Sequence, residues 1–210
     1  MHATTVTTHT IGPRGTGLKA RIGHWWIRRQ GWRLVGDIPQ PQRFVLIAAP
    51  HTSNWDLAYM MAFSWIYGVR INWMGKHTLF QPPMGWLMKQ IGGIPIDRRA
   101  AHGVVDQMVQ RFADSDELIL AVPPEGTRGK VEYWKSGFYQ IAKKAGVPIV
   151  LGFLDFEGKE GGLGPAVRPS DDVVADMDFI RAFYRNKKGK HAGDWCEPRL
   201  RMEEPKSDGQ

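Results

Sequence analysis

The sequence predicts a single layered α/β domain, in which a central, mostly parallel or mixed sheet is flanked by helices and preceded by a basic amphipathic helix. The chain has 210 residues, of which 42% are hydrophobic, and this size and composition suit one globular domain. Apolar runs typical of buried strands alternate along the chain with segments of helical periodicity. Polar segments rich in His, Gly and Arg follow three of the apolar runs, and such segments gather at one edge of an α/β sheet.

The two ends of the chain are predicted to lie outside this domain. Residues 1–17 are rich in Thr and Gly and are expected to be mobile, whereas residues 203–210 form a polar tail. A helical wheel of residues 18–34 gathers Leu18, Ile22, Trp25, Trp26 and Trp32 on one side, although two arginines also fall there. We expect one basic amphipathic helix over this segment.

The remaining elements alternate between strand and helix. The predicted strands are residues 44–49, 69–74, 94–96, 117–122 and 147–153. The predicted helices are residues 56–67, 83–90, 101–113, 136–145 and 170–184. The Gly-rich segment EGKEGGLGPA, residues 157–166, is expected to form an exposed turn that joins two strands.

Charge and cysteine content narrow the classes of function. The formal charge of +7 and the nine tryptophans suit either an anionic lipid surface or a nucleic acid. The single cysteine, Cys196, excludes a disulfide framework within the chain and a CxxC metal site. No apolar run reaches the roughly 18 to 20 residues that cross a bilayer, and the first residues lack the apolar core of a signal peptide. We therefore expect a protein that is soluble or lies on a membrane surface.

A nucleic-acid-binding module is the competing hypothesis from a different class. The net positive charge supports this hypothesis. However, the cations are dispersed along the chain, and no helix-turn-helix, zinc finger or aromatic RNA-binding signature is recognisable. We therefore expect no nucleic-acid partner.

The stretch APHTSNWDLAY, residues 49–59, places His51 and Asp56 where a predicted strand gives way to a helix. Ser53 and Asp56 fit a capping box, which explains the acid and leaves the histidine unexplained. A His–Asp dyad explains both, because a carboxylate in the first helical turn can hold one imidazole nitrogen while the other takes a proton. No GxSxG, HExxH or neighbouring Cys supplies a protein nucleophile, so the base is expected to activate a hydroxyl of the substrate.

The segment GGIPIDRRAA, residues 92–101, combines glycines with two adjacent arginines. The guanidinium groups of Arg98 and Arg99 carry forked donors that match phosphate oxygens. A tight turn followed by a solvated Asp–Arg pair is the structural alternative, and the residues of this segment alone leave both open.

The segment PPEGTRGK, residues 123–130, contains groups suited to ligand binding, as residues 92–101 do. Its glycines allow close backbone approach, Thr127 and Arg128 are donors, and Glu125 is an orienting acceptor. It differs from a phosphate-binding P-loop, because Val131 stands where Ser or Thr is required. Nucleotide hydrolysis is therefore not expected.

In their order along the chain, these motifs resemble the conserved blocks of the glycerophospholipid acyltransferase family. His51 and Asp56 match its HxxxxD motif, GGIPIDRR its second block, PEGTR its third, and VPIV at residues 147–150 its fourth. The segment WKSGFYQIAKKAG, residues 134–146, resembles the link between the last two blocks. The resemblance covers about residues 44–155.

The resemblance implies a role for each matching residue. His51 would be the general base and Asp56 its orienting partner. Our own hypothesis for the mechanism adds backbone N–H groups near Gly126 as donors to the oxyanion. The implied substrate-binding residues are Lys76, Arg98, Arg99, Glu125, Gly126, Thr127 and Arg128. No metal and no cofactor is implied, and acyl-CoA or acyl-ACP would serve as co-substrate.

The function implied is transfer of a fatty acyl group from such a thioester to the hydroxyl of a lysophospholipid in phospholipid biosynthesis, with 1-acyl-glycerol 3-phosphate as the first acceptor. The alternative acceptors are lyso-ornithine lipid, another lysolipid and glycerol 3-phosphate. Residues 35–202 would form the acyltransferase domain, and residues 18–34 would dock on the membrane, with packing on the domain as the alternative. The expected partners are a membrane surface, the lysophospholipid and acyl carrier protein. The expected location is cytoplasmic, peripherally associated with the cytoplasmic membrane.

Overall fold

The computed structural model describes residues 9–96 and 103–204, and helices alternate with strands along both ranges. The strands are β1 (His9–Ile11), β2 (Arg33–Val35), β3 (Ile38–Gln40), β4 (Arg43–Ala49), β5 (Ile71–Lys76), β6 (Gly93–Ile96), β7 (Leu118–Val122), β8 (Ile149–Asp155) and β9 (Glu160–Val167). The helices are α1 (Gly17–Arg29), α2 (Trp55–Tyr67), α3 (Gly85–Gln90), α4 (Val104–Ala113), α5 (Gly137–Ala145) and α6 (Val173–Tyr184). Short 3₁₀ turns cover His77–Phe80, Ala192–Asp194 and Arg201–Glu203.

In the described residues, seven of the strands form one sheet in the order β2-β9-β8-β4-β7-β5-β6. All neighbouring pairs are parallel except β8 and β9, which run antiparallel. Strands β1 and β3 form a separate antiparallel pair. The predicted fold class is therefore confirmed: the domain is α/β with a mixed, mostly parallel sheet and flanking helices.

Both faces of the sheet are buried, as a parallel sheet requires. Along β4, Val45 and Ile47 pack on one face with apolar side chains of α4, α5 and α6. Phe44 and Leu46 point to the other face, where α1 and α2 cover the sheet. This two-residue alternation explains why β4 reads as an uninterrupted apolar run in the sequence.

The N-terminal helix packs on α2 and is shorter than predicted. Its buried face consists of Ala20, Gly23 and Ile27, and a Cβ at Gly23 would lie 3.0 Å from the Ala62 carbonyl oxygen. The prediction of a helix over residues 18–34 is wrong at its C-terminal end, because residues 33–35 form β2. Trp32, placed by the wheel on the apolar side of the helix, is instead a core residue that is 6% exposed.

The prediction for EGKEGGLGPA is right only in part: residues 157–159 form an exposed turn between β8 and β9, but residues 160–167 form β9, an internal strand between β8 and β2. Its glycines are required by close neighbours: a Cβ at Gly161 would lie 2.5 Å from the Phe63 ring, and one at Gly162 would lie 1.9 Å from the Val35 carbonyl oxygen. Bulky neighbours fill the space that side chains of β9 would occupy, so the strand has no apolar alternation to reveal it.

Smaller differences concern the ends of the chain. Residues 9–11, within the segment expected to be mobile, form β1. Glu203, assigned to the polar tail, lies 2.8 Å from Arg181 and is anchored by that ion pair. No helix among the described residues has the length and apolar character needed to cross a bilayer.

Candidate active site

The carboxyl ends of the parallel strands bring three of the predicted motifs to one edge of the sheet. His51 follows β4, Lys76 ends β5, and the PEGTR segment follows β7. The registers pair Ile47 of β4 with Val122 of β7, and β5 also pairs with β7. Segments distant in sequence therefore meet at this edge, which is where α/β sheets bind ligands.

His51 and Asp56 are in contact. The Nδ1 atom of His51 lies 3.0 Å from Oδ2 of Asp56, and their side chains are 24% and 8% exposed. Because Asp56 occupies Nδ1, the Nε2 atom of the imidazole is the nitrogen that remains to accept a proton. The predicted dyad geometry is present, although its catalytic role stays a prediction.

The start of α2 holds the aspartate in place. The same Oδ2 atom accepts a hydrogen bond from the backbone N–H of Ser53 at 3.0 Å, which is the acidic half of the predicted capping box. The Ser53 hydroxyl accepts from the backbone N–H of Trp55 at 3.1 Å, so the hydroxyl half has a different partner. A carboxylate here is also stabilised by the positive end of the helix dipole. The capping and dyad explanations of Asp56 are therefore compatible.

Glu125 contacts the backbone of His51. It is 5% exposed, and its Oε1 atom accepts a hydrogen bond from the backbone N–H of His51 at 3.1 Å. Its other oxygen, Oε2, is buried and has no hydrogen-bond partner in the described part of the chain. Burial raises the pKa of the Glu125 carboxyl. This residue was predicted to bind substrate, but its contact is with the loop that carries the base.

The PEGTR loop turns tightly at Gly126. The residue has φ of +66°, a conformation that favours glycine. Its backbone N–H donates to the Pro123 carbonyl at 3.2 Å, so this amide is engaged within the turn. The role of backbone N–H groups near Gly126 as oxyanion donors stays a prediction. A Cβ at this position would lie 2.7 Å from Nζ of Lys135, and Lys135 thus lies directly against the loop.

A cavity of about 1050 Å³ opens beside the dyad. Its polar and charged lining comes from His51, Asp56, Lys76, Thr127, Arg128 and Lys135, with backbone from Gly126. Most of the other lining residues are apolar, among them Leu57, Met60 and Phe153. A cavity with an imidazole, three cations and long apolar walls can hold a molecule that is both anionic and fatty.

Two predicted site residues, Arg98 and Arg99, lie outside the described residues. Among the residues that the structure describes, no group of three or more His, Cys, Asp or Glu is placed to hold a metal ion.

Sequence reasoning missed two contributors to this region. Lys135 lines the cavity, and its only signal in the sequence is its position in the link between the third and fourth blocks. The segment after α6 also reaches the dyad loop, since the backbone N–H of His191 donates to Oγ1 of Thr52 at 3.2 Å. A contact across 139 residues of chain has no local sequence signal.

Comparisons with known proteins identify the family and support the fold. The family model described as Acyltransferase matches residues 33–150, more than half of the chain. No curated protein matches the sequence. Among solved structures, the fold is similar to the crystal structure of the 1-acyl-sn-glycerophosphate (LPA) acyltransferase, PlsC, from Thermotoga maritima, with a TM-score of 0.55. The two share 20% sequence identity over 80% of this chain and 75% of that chain, so this likeness supports the fold alone.

Proposed function

The chain belongs to the Acyltransferase family, and we propose that it acylates a lysophospholipid. Membership of this family confirms the predicted enzyme class, an O-acyltransferase. The acyl group comes from a thioester, acyl-CoA or acyl-ACP, and the proposed acceptor is 1-acyl-glycerol 3-phosphate. The observation that carries the proposal is the His51–Asp56 contact in a cavity that combines cationic and apolar walls.

The proposed reaction uses His51 as a base. Its Nε2 takes the proton of the acceptor hydroxyl while the hydroxyl oxygen attacks the thioester carbonyl carbon. The tetrahedral intermediate collapses with cleavage of the C–S bond, and the imidazolium returns the proton to the departing sulfur. Asp56 holds Nδ1 and stabilises the imidazolium formed in the first step. General-base action of this kind contributes about 10² to 10⁴-fold, and orientation of the two substrates supplies a further share.

The cations of the cavity give the acceptor its orientation. Lys76, Arg128 and Lys135 line the same cavity as the base, and phosphate oxygens are the natural partners of such groups. An acceptor that carries a phosphate one or two carbons from its hydroxyl would be held with that hydroxyl near His51. The apolar walls would take the fatty chain. This combination supports a lysophospholipid in preference to a small water-soluble alcohol.

A membrane surface is the proposed partner that presents the acceptor. Helix α1 exposes Leu18, Ile22 and Trp25, at 71%, 45% and 65%, on the side opposite its buried face. Exposed arginines and a lysine surround this apolar stripe. Such a helix suits the interface of an anionic bilayer, where apolar side chains insert and cations contact headgroups. The enzyme would then act in phospholipid biosynthesis, peripherally on the cytoplasmic membrane.

The proposal is tested by incubating the purified protein with isotopically labelled acyl-CoA and acyl-ACP and a panel of acceptors, followed by mass spectrometry of the lipids. The panel contains 1-acyl-glycerol 3-phosphate, lyso-ornithine lipid, neutral lysolipids and glycerol 3-phosphate. We expect labelled product with the phosphate-bearing lysolipid, and its rate of formation should be about 10² to 10⁴-fold lower with the His51→Ala variant. Product only with glycerol 3-phosphate or with a lipid without phosphate would overturn the choice of acceptor.

A further inference from the structure

A second group of cations lies outside the cavity, on the segment that follows α6. Residues 185–191, RNKKGKH, contain five basic residues and no acidic one, and we call this segment the basic strap. Lys187 is half-buried, with Nζ 4.2 Å from the centre of the Phe153 ring. The other basic side chains are exposed, and none of them forms an ion pair with a described carboxylate.

The basic strap is fixed to the end of β8 by backbone contacts. The N–H of Lys188 donates to Oδ1 of Asp155 at 3.2 Å, and its carbonyl accepts from the N–H of Phe156 at 2.8 Å. These bonds hold the main chain of the strap and leave the Lys188 side chain exposed. The strap is thus a positioned element with exposed cations.

The same segment touches the loop that carries the dyad. Gly189 packs so closely on Thr52 that a Cβ would lie 2.6 Å from the Thr52 Oγ1 atom, and the N–H of His191 donates to that oxygen at 3.2 Å. The ammonium group of Lys190 lies 5.0 Å from the centre of the Trp55 ring. Thr52 and Trp55 are the chain neighbours of His51 and Asp56, so the strap contacts the loop that carries the dyad.

We propose that Lys188, Lys190 and His191 of the basic strap bind the phosphate groups of the pantetheine-bearing acyl donor. This inference rests on the proposed function, because it requires a thioester donor. The sulfur that leaves in the reaction is joined by its pantetheine arm to a phosphate, both in coenzyme A and in acyl carrier protein. With the acceptor's phosphate held by the cations of the cavity, the strap supplies separate cations for the donor outside the cavity, on a segment that contacts the dyad loop. Exposed, unpaired cations on a fixed backbone suit an anion that must bind and leave in every turnover.

The test compares Lys188→Ala/Lys190→Ala with the wild type and with a control of equal charge change, Lys143→Ala/Lys144→Ala on α5. The donors are acyl-CoA, acyl carrier protein thioester and the acyl thioester of N-acetylcysteamine, which has the pantetheine end but no phosphate. For the strap variant we expect the KM for both phosphate-bearing donors to rise by about two- to tenfold per lysine. The acceptor KM and the rate with the phosphate-free donor should be unchanged.

A rise for one phosphate-bearing donor alone identifies the carrier that the strap recognises. Equal losses with all three donors, a higher acceptor KM, or no effect would overturn the inference, as would a loss of binding to anionic vesicles without a change in donor KM. The proposed function is tested by a separate measurement, the acylation of lysolipids by the wild type. If the wild type acylates no lysolipid, calorimetric binding of coenzyme A to the wild type and the strap variant still decides the role of the strap.

Discussion

The Oε1 atom of Glu125 accepts a hydrogen bond from the backbone N–H of His51 at 3.1 Å, across 74 residues of chain. The loop after β7 is thereby joined to the loop after β4 at the residue that carries the base. The carboxyl is buried, and its pKa is raised by that burial. We interpret Glu125 as a positioning residue that acts through the backbone of His51.

Two substitutions of Glu125 separate positioning from acceptor binding. In Glu125→Gln an amide oxygen can still accept from the His51 N–H, so we expect kcat to remain close to that of the wild type. In Glu125→Ala the loop loses its partner, and we expect kcat to fall by about 10 to 10²-fold, the effect of a small misplacement of a catalytic group. Steady-state kinetics with varied acceptor measure both. A raised acceptor KM with normal kcat in the Ala variant would restore the acceptor-binding role that the family resemblance implies.

The pKa of Glu125 also predicts how stability varies with pH. A carboxyl whose pKa is higher in the folded than in the unfolded state keeps its proton over a range in which the unfolded chain has lost it. Its contribution to the free energy of unfolding therefore declines as the pH rises from the unfolded value through the folded one. The side chain of Glu125→Gln does not ionise, so its contribution to the free energy of unfolding does not decline as the pH rises. We expect the stability of the variant relative to the wild type to be greater at pH 7 than at pH 4, measured by urea unfolding at both pH values; an equal difference would contradict the raised pKa.

The dyad is tested by His51→Ala and Asp56→Asn. Loss of the base should lower kcat by about 10² to 10⁴-fold. An asparagine in place of Asp56 carries no charge, so it cannot stabilise the imidazolium that forms when Nε2 takes the proton. We expect a loss of similar size for both variants, with melting temperatures close to that of the wild type. Retention of more than about a tenth of the wild-type kcat in His51→Ala would contradict general-base catalysis.

Much of the fold could be predicted from the sequence because local signals were strong. The run over β4 is apolar on both faces and is followed directly by His51, and this pattern identifies a buried strand whose end carries chemistry. Helix α4 shows its apolar period clearly. Asp56 could be assigned to the first turn of α2 because a capping pattern marks that turn.

The features that escaped prediction depend on distant residues. Strand β9 contains Gly161 and Gly162 where Phe63 and the Val35 carbonyl approach, so its sequence resembles a turn. Trp32 fits a helical wheel, but the chain leaves the helix before it and buries it in the core. The contact between the basic strap and Thr52 joins segments 139 residues apart. None of these relationships leaves a periodic signal within a short window.

Lys135 offers a test of phosphate recognition in the cavity. Its ammonium group lies against Gly126 and its side chain lines the cavity. Lys135→Met keeps most of the length of the side chain and removes the charge. We expect the KM for 1-acyl-glycerol 3-phosphate to rise by about tenfold, while any activity on a monoacylglycerol, which has no phosphate, is unchanged. Lys143→Met, on α5, is the control of equal charge. An equal effect on both acceptors would show that Lys135 shapes the loop and does not recognise phosphate.

The exposed side of α1 provides the test of membrane docking. Leu18, Ile22 and Trp25 face away from the domain, so Leu18→Ser/Ile22→Ser/Trp25→Ser should leave the packing of Ala20, Gly23 and Ile27 on α2 intact. We expect the triple variant to lose most of its co-sedimentation with vesicles containing anionic lipid, because apolar insertion supplies the part of the binding that salt does not screen.

The control for this variant is Val174→Ser/Met202→Ser. It removes two exposed apolar side chains from other parts of the surface, and their exposed fractions, 45% and 48%, are close to that of Ile22. It should bind vesicles as the wild type does. The turnover of a monomeric short-chain acceptor should be the same in all three proteins, because α1 lies outside the cavity lining. If the triple variant still sedimented with the vesicles, or if it lost activity on the monomeric acceptor, the exposed stripe would not be the surface that docks on the membrane.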